Sequence, residues 1–91
     1  MTFKQAVLRL QPELSGRQRQ RLQRFLAAAG RNPRLWASAE QLVAHAYERQ
    51  TGKTLTKTIN WQNLWQWFVQ NAPLVLQLVL SILTIFAQTG G

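Results

Sequence analysis

The sequence predicts an all-α fold: a small basic head of about three helices, then a long, Pro-kinked, uncharged apolar helix at the C-terminal end. Three observations carry that expectation. Apolar residues recur at i, i+3, i+4 and i+7 along most of the chain, the spacing of one helical face. The residues between these runs are those that start and stop helices. And the charge is segregated: of 91 residues, eleven Lys and Arg and three Glu all fall between Lys4 and Lys57, so the last 34 residues carry none.

Thr2 is placed to cap a first helix whose buried face is Phe3, Ala6, Val7 and Leu10, and Pro12 ends it. Ser15 is placed to cap a second helix running to about Ala29, with a buried stripe of Leu22, Phe25, Leu26 and Ala29. Gly30 stands where a left-handed C-terminal residue is wanted. Asn32-Pro33 then restarts the chain as a cap followed by proline at the first helical position. The third helix has the clearest pattern: Leu35, Trp36, Ala39, Leu42, Val43, Ala46, Tyr47 and Gln50 fall on one side, and Gly52 closes it. Residues 1–52 therefore read as the basic helical head and residues 53–60 as a polar linker. Residues 61–89 form a Trp-rich apolar segment, membrane-inserted or at the core of an oligomer. Asn60 is placed to cap it, and Asn71-Ala72-Pro73 interrupts or kinks it.

Composition excludes several chemistries. Without cysteine there is no disulfide framework, thiolate metal site or thiol nucleophile. The opening residues Met1 to Gln5 lack the apolar core of a signal peptide. His45 and Glu48 sit at i, i+3 on a helix, where such a pair is ordinarily a surface contact. A metal site needs further ligands that Glu13 and Glu40 are not placed to provide. Thr51-Gly52-Lys53-Thr54 has the ending of a phosphate-binding loop, but Tyr47 stands where its first glycine belongs and a helix precedes it. A helix-turn-helix laid over residues 16–50 rests only on two helices joined through glycine. The expectation is a non-enzymatic protein with no cofactor and no small-molecule substrate.

Eight of the eleven basic residues precede Leu35, opposed there only by Glu13. Arg17, Arg21 and Arg24 form a stripe at i, i+4, i+7, about 90° from the centre of the second helix's apolar face. With Arg31 and Arg34 they are the expected polyanion-binding residues, because the planar guanidinium fork suits phosphate oxygens. Nucleic acid and an anionic lipid surface both fit, and a solvated face that keeps the chain soluble is the plain alternative.

The apolar tail points towards lipid. Residues 69–87 reach the mean hydropathy of membrane helices, although the apolar run 74–87 spans only about 21 Å at 1.5 Å per residue. Continuation through Pro73 supplies the missing length. Trp61, Trp65, Trp67 and Phe68 then fall at the head side, where membrane-interface aromatics gather, although packing or base stacking also suits them. On one continuous helix, Asn63, Gln66, Gln70, Gln77, Ser81, Thr84 and Gln88 share a stripe roughly 60° wide, suited to helix–helix contact, a watery lumen or bulk solvent.

The first functional reading is a structural protein held to a membrane by its C-terminal helix, with the basic head on the cytoplasmic or particle-interior side, as in a minor virion protein. The expected partners are membrane lipid, other copies of the chain in a homo-oligomer or larger assembly, and nucleic acid. The alternatives are a soluble homo-oligomeric scaffold, a holin-like or genome-delivery pore, and a soluble non-specific nucleic-acid-binding module.

Overall fold

A computed structural model of the chain describes residues 1–55 and 59–88, with side chains to residue 86. The described residues form five α-helices and two short 3-10 turns, with no strand among them. Residues 56–58 of the expected linker, Lys57 included, and residue 89 lie outside the described part, as does the Gln88 side chain.

Helix α1 (Phe3–Leu10) starts at a reciprocal capping box. Thr2 Oγ1 accepts from the Gln5 N–H at 3.1 Å, and Gln5 Oε1 accepts from the Thr2 N–H at 2.9 Å. A 3-10 turn, Gln11–Glu13, carries Pro12 and ends the helix. Helix α2 (Gly16–Arg31) repeats the device: Ser15 Oγ accepts from the Gln18 N–H at 3.2 Å and Gln18 Oε1 from the Ser15 N–H at 3.0 Å. Gly30 does not close α2 in a left-handed conformation as its position suggests; the helix runs through it to Arg31. The stop comes two residues later, where Asn32 leaves the helix at φ −138° and Pro33 follows. Asn32 Oδ1 then accepts from the Arg34 N–H at 3.3 Å and opens α3 (Arg34–Thr51).

Gly52 is the one described residue at positive φ, 73°, and its N–H donates to the Glu48 carbonyl at 2.8 Å. A Cβ there would meet nothing within 4 Å, so the cost of Gly52→Ala is conformational alone. We expect it to be about 1 kcal/mol, measured by urea denaturation. The same substitution at Gly30, inside α2 and equally open, is expected to be neutral or slightly stabilising.

The continuous apolar helix expected at the C-terminal end is not formed. A 3-10 turn (Trp61–Leu64) leads into α4 (Trp65–Gln70), and α5 (Ala72–Gln88) departs from that direction by 103°. Pro73 has no N–H to donate to the Val69 carbonyl, and its ring would clash there, so a straight helix cannot pass. Asn71 occupies the corner: its N–H and its side-chain Nδ2 each donate to the Trp67 carbonyl at 2.9 Å, and its own carbonyl accepts from the Val75 N–H at 2.9 Å. Among the described residues no single helix is long and apolar enough to cross a membrane. The bent pair Trp61–Gln70 and Ala72–Phe86 has the length and composition only when taken together.

The bend turns α5 back against α3 and α2. The other residues, few as they are, do cover its inner side: Val75, Leu76, Val79 and Ile82 are buried. One continuous core joins them to Phe3, Val7 and Leu10 of α1, Leu22 and Phe25 of α2, Leu35 and Val43 of α3, and Trp61 and Phe68. The radius of gyration, 12.6 Å, matches the ~12 Å expected of one compact body of this length. Along the outer side of α5, Leu78, Leu80 and Leu83 stay half-buried and Ile85 is 46% exposed.

Candidate functional site

The outer face of α2 gathers the arginines. At 100° per residue, Arg17, Arg21, Arg24 and Arg31 fall within roughly 80° of one another, and each side chain is exposed. Arg17, Gln20, Arg21 and Arg24 line a single shallow furrow of about 280 Å³. The adjacent side of the helix, Leu22, Phe25 and Ala29, is in the core. The amphipathic pattern therefore holds the guanidinium groups outward. Arg34 is exposed at the first turn of α3, past the Asn32-Pro33 corner.

What surrounds these cations is as informative as their spacing. Of the three carboxylates, Glu40 accepts from Trp61 Nε1 at 2.6 Å. Glu48 accepts from the Leu55 N–H at 2.7 Å and stands 3.6 Å from His45 Nδ1. Two acids thus hold the α3 surface to the segments that follow it. Glu13 is exposed in the turn before α2. Among the described residues no arginine has a carboxylate within ion-pair distance, and the His45–Glu48 contact is the one such pair. Its histidine is 75% exposed, the geometry of a surface pair.

The two polar features expected to serve separate purposes meet at one place. Arg21 and Gln18 of α2 face Pro73, Leu76, Gln77 and Leu80 of α5 across a second groove. Gln77 thereby lies beside the arginine furrow. Gln70 and Thr84 are exposed, and Ser81 turns its hydroxyl inward to donate to the Leu78 carbonyl at 2.6 Å. The seven-residue stripe does not survive as one face, because the corner at Asn71 separates Asn63, Gln66 and Gln70 from Gln77, Ser81 and Thr84.

The aromatic cluster lies largely inside the fold. Trp61 is 0% exposed, with Phe3 and Phe68 at ring-centroid distances of 5.2 and 5.8 Å. Phe68 is buried as well. Trp67 is half-buried, packs edge-on against Tyr47 at 5.2 Å and donates from Nε1 to Gln50 Oε1 at 3.1 Å. Trp65 is half-buried and stacks on Phe68, with the Arg9 guanidinium 5.4 Å from its ring centroid. Sequence reasoning missed the pairs Glu40–Trp61 and Arg9–Trp65, whose members stand 21 and 56 positions apart. An acid on the semi-buried side of an amphipathic helix, four residues after Trp36, is the only signal that pointed to the first.

Comparison with protein-family models, with curated proteins and with solved structures finds no match.

Proposed function

We propose that this chain is a non-enzymatic helical module that binds the sugar-phosphate backbone of nucleic acid through the outer face of α2. The observation that carries the reading is a contiguous arginine furrow with no carboxylate partner among the described residues, on a helix that buries Leu22, Phe25 and Ala29 in the core and leaves Leu26 half-buried. Arg17 and Arg24 stand about 10.5 Å apart along the helix axis, with Arg21 between them, so several phosphates of one strand come within reach together. Gln18, Gln20 and Gln77 beside them supply neutral donors for the remaining phosphate and sugar oxygens. Repulsion among the guanidinium groups is relieved when a polyanion displaces its counterions into solution. A lipid surface offers the same charge, but durable attachment there also needs apolar insertion, and the furrow itself is lined only by Arg17, Gln20, Arg21 and Arg24.

The test is anisotropy of a labelled 20-nucleotide single strand and of its duplex, titrated with the chain across a salt series, with anionic vesicles as a parallel arm. The expected result is binding without sequence preference, whose log K falls linearly with log salt. Association with vesicles and none with either DNA would overturn the reading.

A further inference from the structure

A second feature, where Arg9 of α1 meets Trp65 of α4, bears on which form of nucleic acid is taken. Phe68 stacks on Trp65, and Arg9 lies against the same indole. Phe68 is fully buried and lies 18° from parallel to the half-buried Trp65 ring at 5.8 Å. The Arg9 guanidinium, on an exposed side chain, sits over Trp65 at 5.4 Å. These contacts thus end in a planar cation at the surface. Arg9 and Trp65 line a recess of about 400 Å³ whose rim carries Gln62, Asn63 and Gln66. All three amides are exposed, and their side chains make no hydrogen bond among the described residues. No acid lines the recess, and Met1, whose terminal ammonium donates to Asn60 Oδ1 at 3.5 Å, completes the wall beside Arg9.

Each part of this arrangement selects for chemistry. A guanidinium centred 5.4 Å from an indole is within cation–π range, and its planar group can stack on an unpaired base that enters beside it. Contact with the indole restrains the Arg9 side chain, so less freedom is lost when a ring lies against it. The three amides offer donors and acceptors together. A bare phosphate or a carboxylate needs donors only, whereas the Watson–Crick and Hoogsteen edges of a base need both. Paired bases within a duplex cannot lay a face against a side chain at the surface; an unpaired base can.

We propose that the recess formed by Arg9, Trp65, Gln62, Asn63 and Gln66 binds one unpaired nucleobase, so that the ligand of this chain is a single strand. The inference rests on the α2 phosphate reading, with the base site adding to it.

The two can be separated by measuring affinity for oligothymidylate and for an abasic oligonucleotide of equal length at one salt concentration. The wild-type chain is expected to bind oligothymidylate about tenfold more tightly, the contribution of one stacked base. Arg9→Lys keeps the charge but not the plane; it is expected to remove most of that ratio while leaving the salt dependence unchanged. Gln66→Ala is expected to reduce the ratio several-fold without touching the stack. The Arg17/Arg21/Arg24→Gln variant is expected to weaken both oligonucleotides alike and so preserve the ratio. Equal wild-type affinities, or a full ratio retained in Arg9→Lys, would overturn the base site and leave the phosphate reading standing. Failure of the wild-type chain to bind either oligonucleotide would overturn both.

Discussion

Replacing Arg17, Arg21 and Arg24 together by Gln is expected to lower DNA affinity on the order of 10²-fold at about 0.1 M salt. It should also reduce the slope of log K against log salt by about 2 to 3, since each lost phosphate contact removes roughly 0.7 to 0.9 from that slope. The two numbers are linked: a variant that lost affinity by misfolding would not lose slope in that proportion. Misfolding is not expected, because all three side chains are exposed and none has an ion-pair partner among the described residues. The melting temperature should therefore stay within a few degrees of wild type or rise slightly as repulsion is relieved. An unchanged salt slope would mean that the α2 arginines are only a solvated face.

Trp61→Ala is expected to be the most damaging single substitution for stability, costing about 3 to 5 kcal/mol in urea denaturation. Trp61 is fully buried, meets the rings of Phe3 and Phe68, and its indole N–H satisfies Glu40 at 2.6 Å. For a domain of this size that is a large part of the ~5 to 15 kcal/mol that holds it folded. Trp61→Phe separates the components. It keeps the ring in the core but leaves the half-buried Glu40 carboxylate without its donor, for about 1 to 3 kcal/mol. A loss below about 1 kcal/mol in the alanine variant would contradict the packing of this turn on α1 and α3, and with it the closed core.

The local signals in the sequence were legible because they act over three or four residues. Thr2, Ser15 and Asn60 each cap the element they precede, and Gly52 takes the left-handed conformation after α3. The interruption at Asn71-Ala72-Pro73 was visible for the same reason, since Pro73 cannot donate to Val69. Gly30 misled because Asn32-Pro33, two residues on, is the stronger stop: the proline restricts the residue before it and the asparagine side chain caps the next helix. The direction of the chain after Asn71 was not legible. A hydropathy window runs along the sequence and assigns the same value to a straight helix and to one broken by 103°. The apolar content of α5 by itself implies lipid or other chains, but α2 and α3 have apolar faces of their own to offer it. At the candidate sites, the arginine spacing on α2 could be read because it is periodic within one helix. The placing of Arg9 on Trp65, and of Gln77 beside Arg21, depends on how separate helices meet.

The corner at Asn71 also sets an order of assembly. The helix that completes the core is the last of the five to be synthesised, and it docks between helices made well before it. As α1, α2 and α3 leave the ribosome, the slot for Val75, Val79 and Ile82 stands open, with Leu22, Phe25 and Val43 exposed to whatever is nearby. Closure of this core therefore waits on α5. In that interval the nascent protein carries an uncovered apolar cleft and nearly all of its positive charge, the state in which it most needs shielding by chaperones.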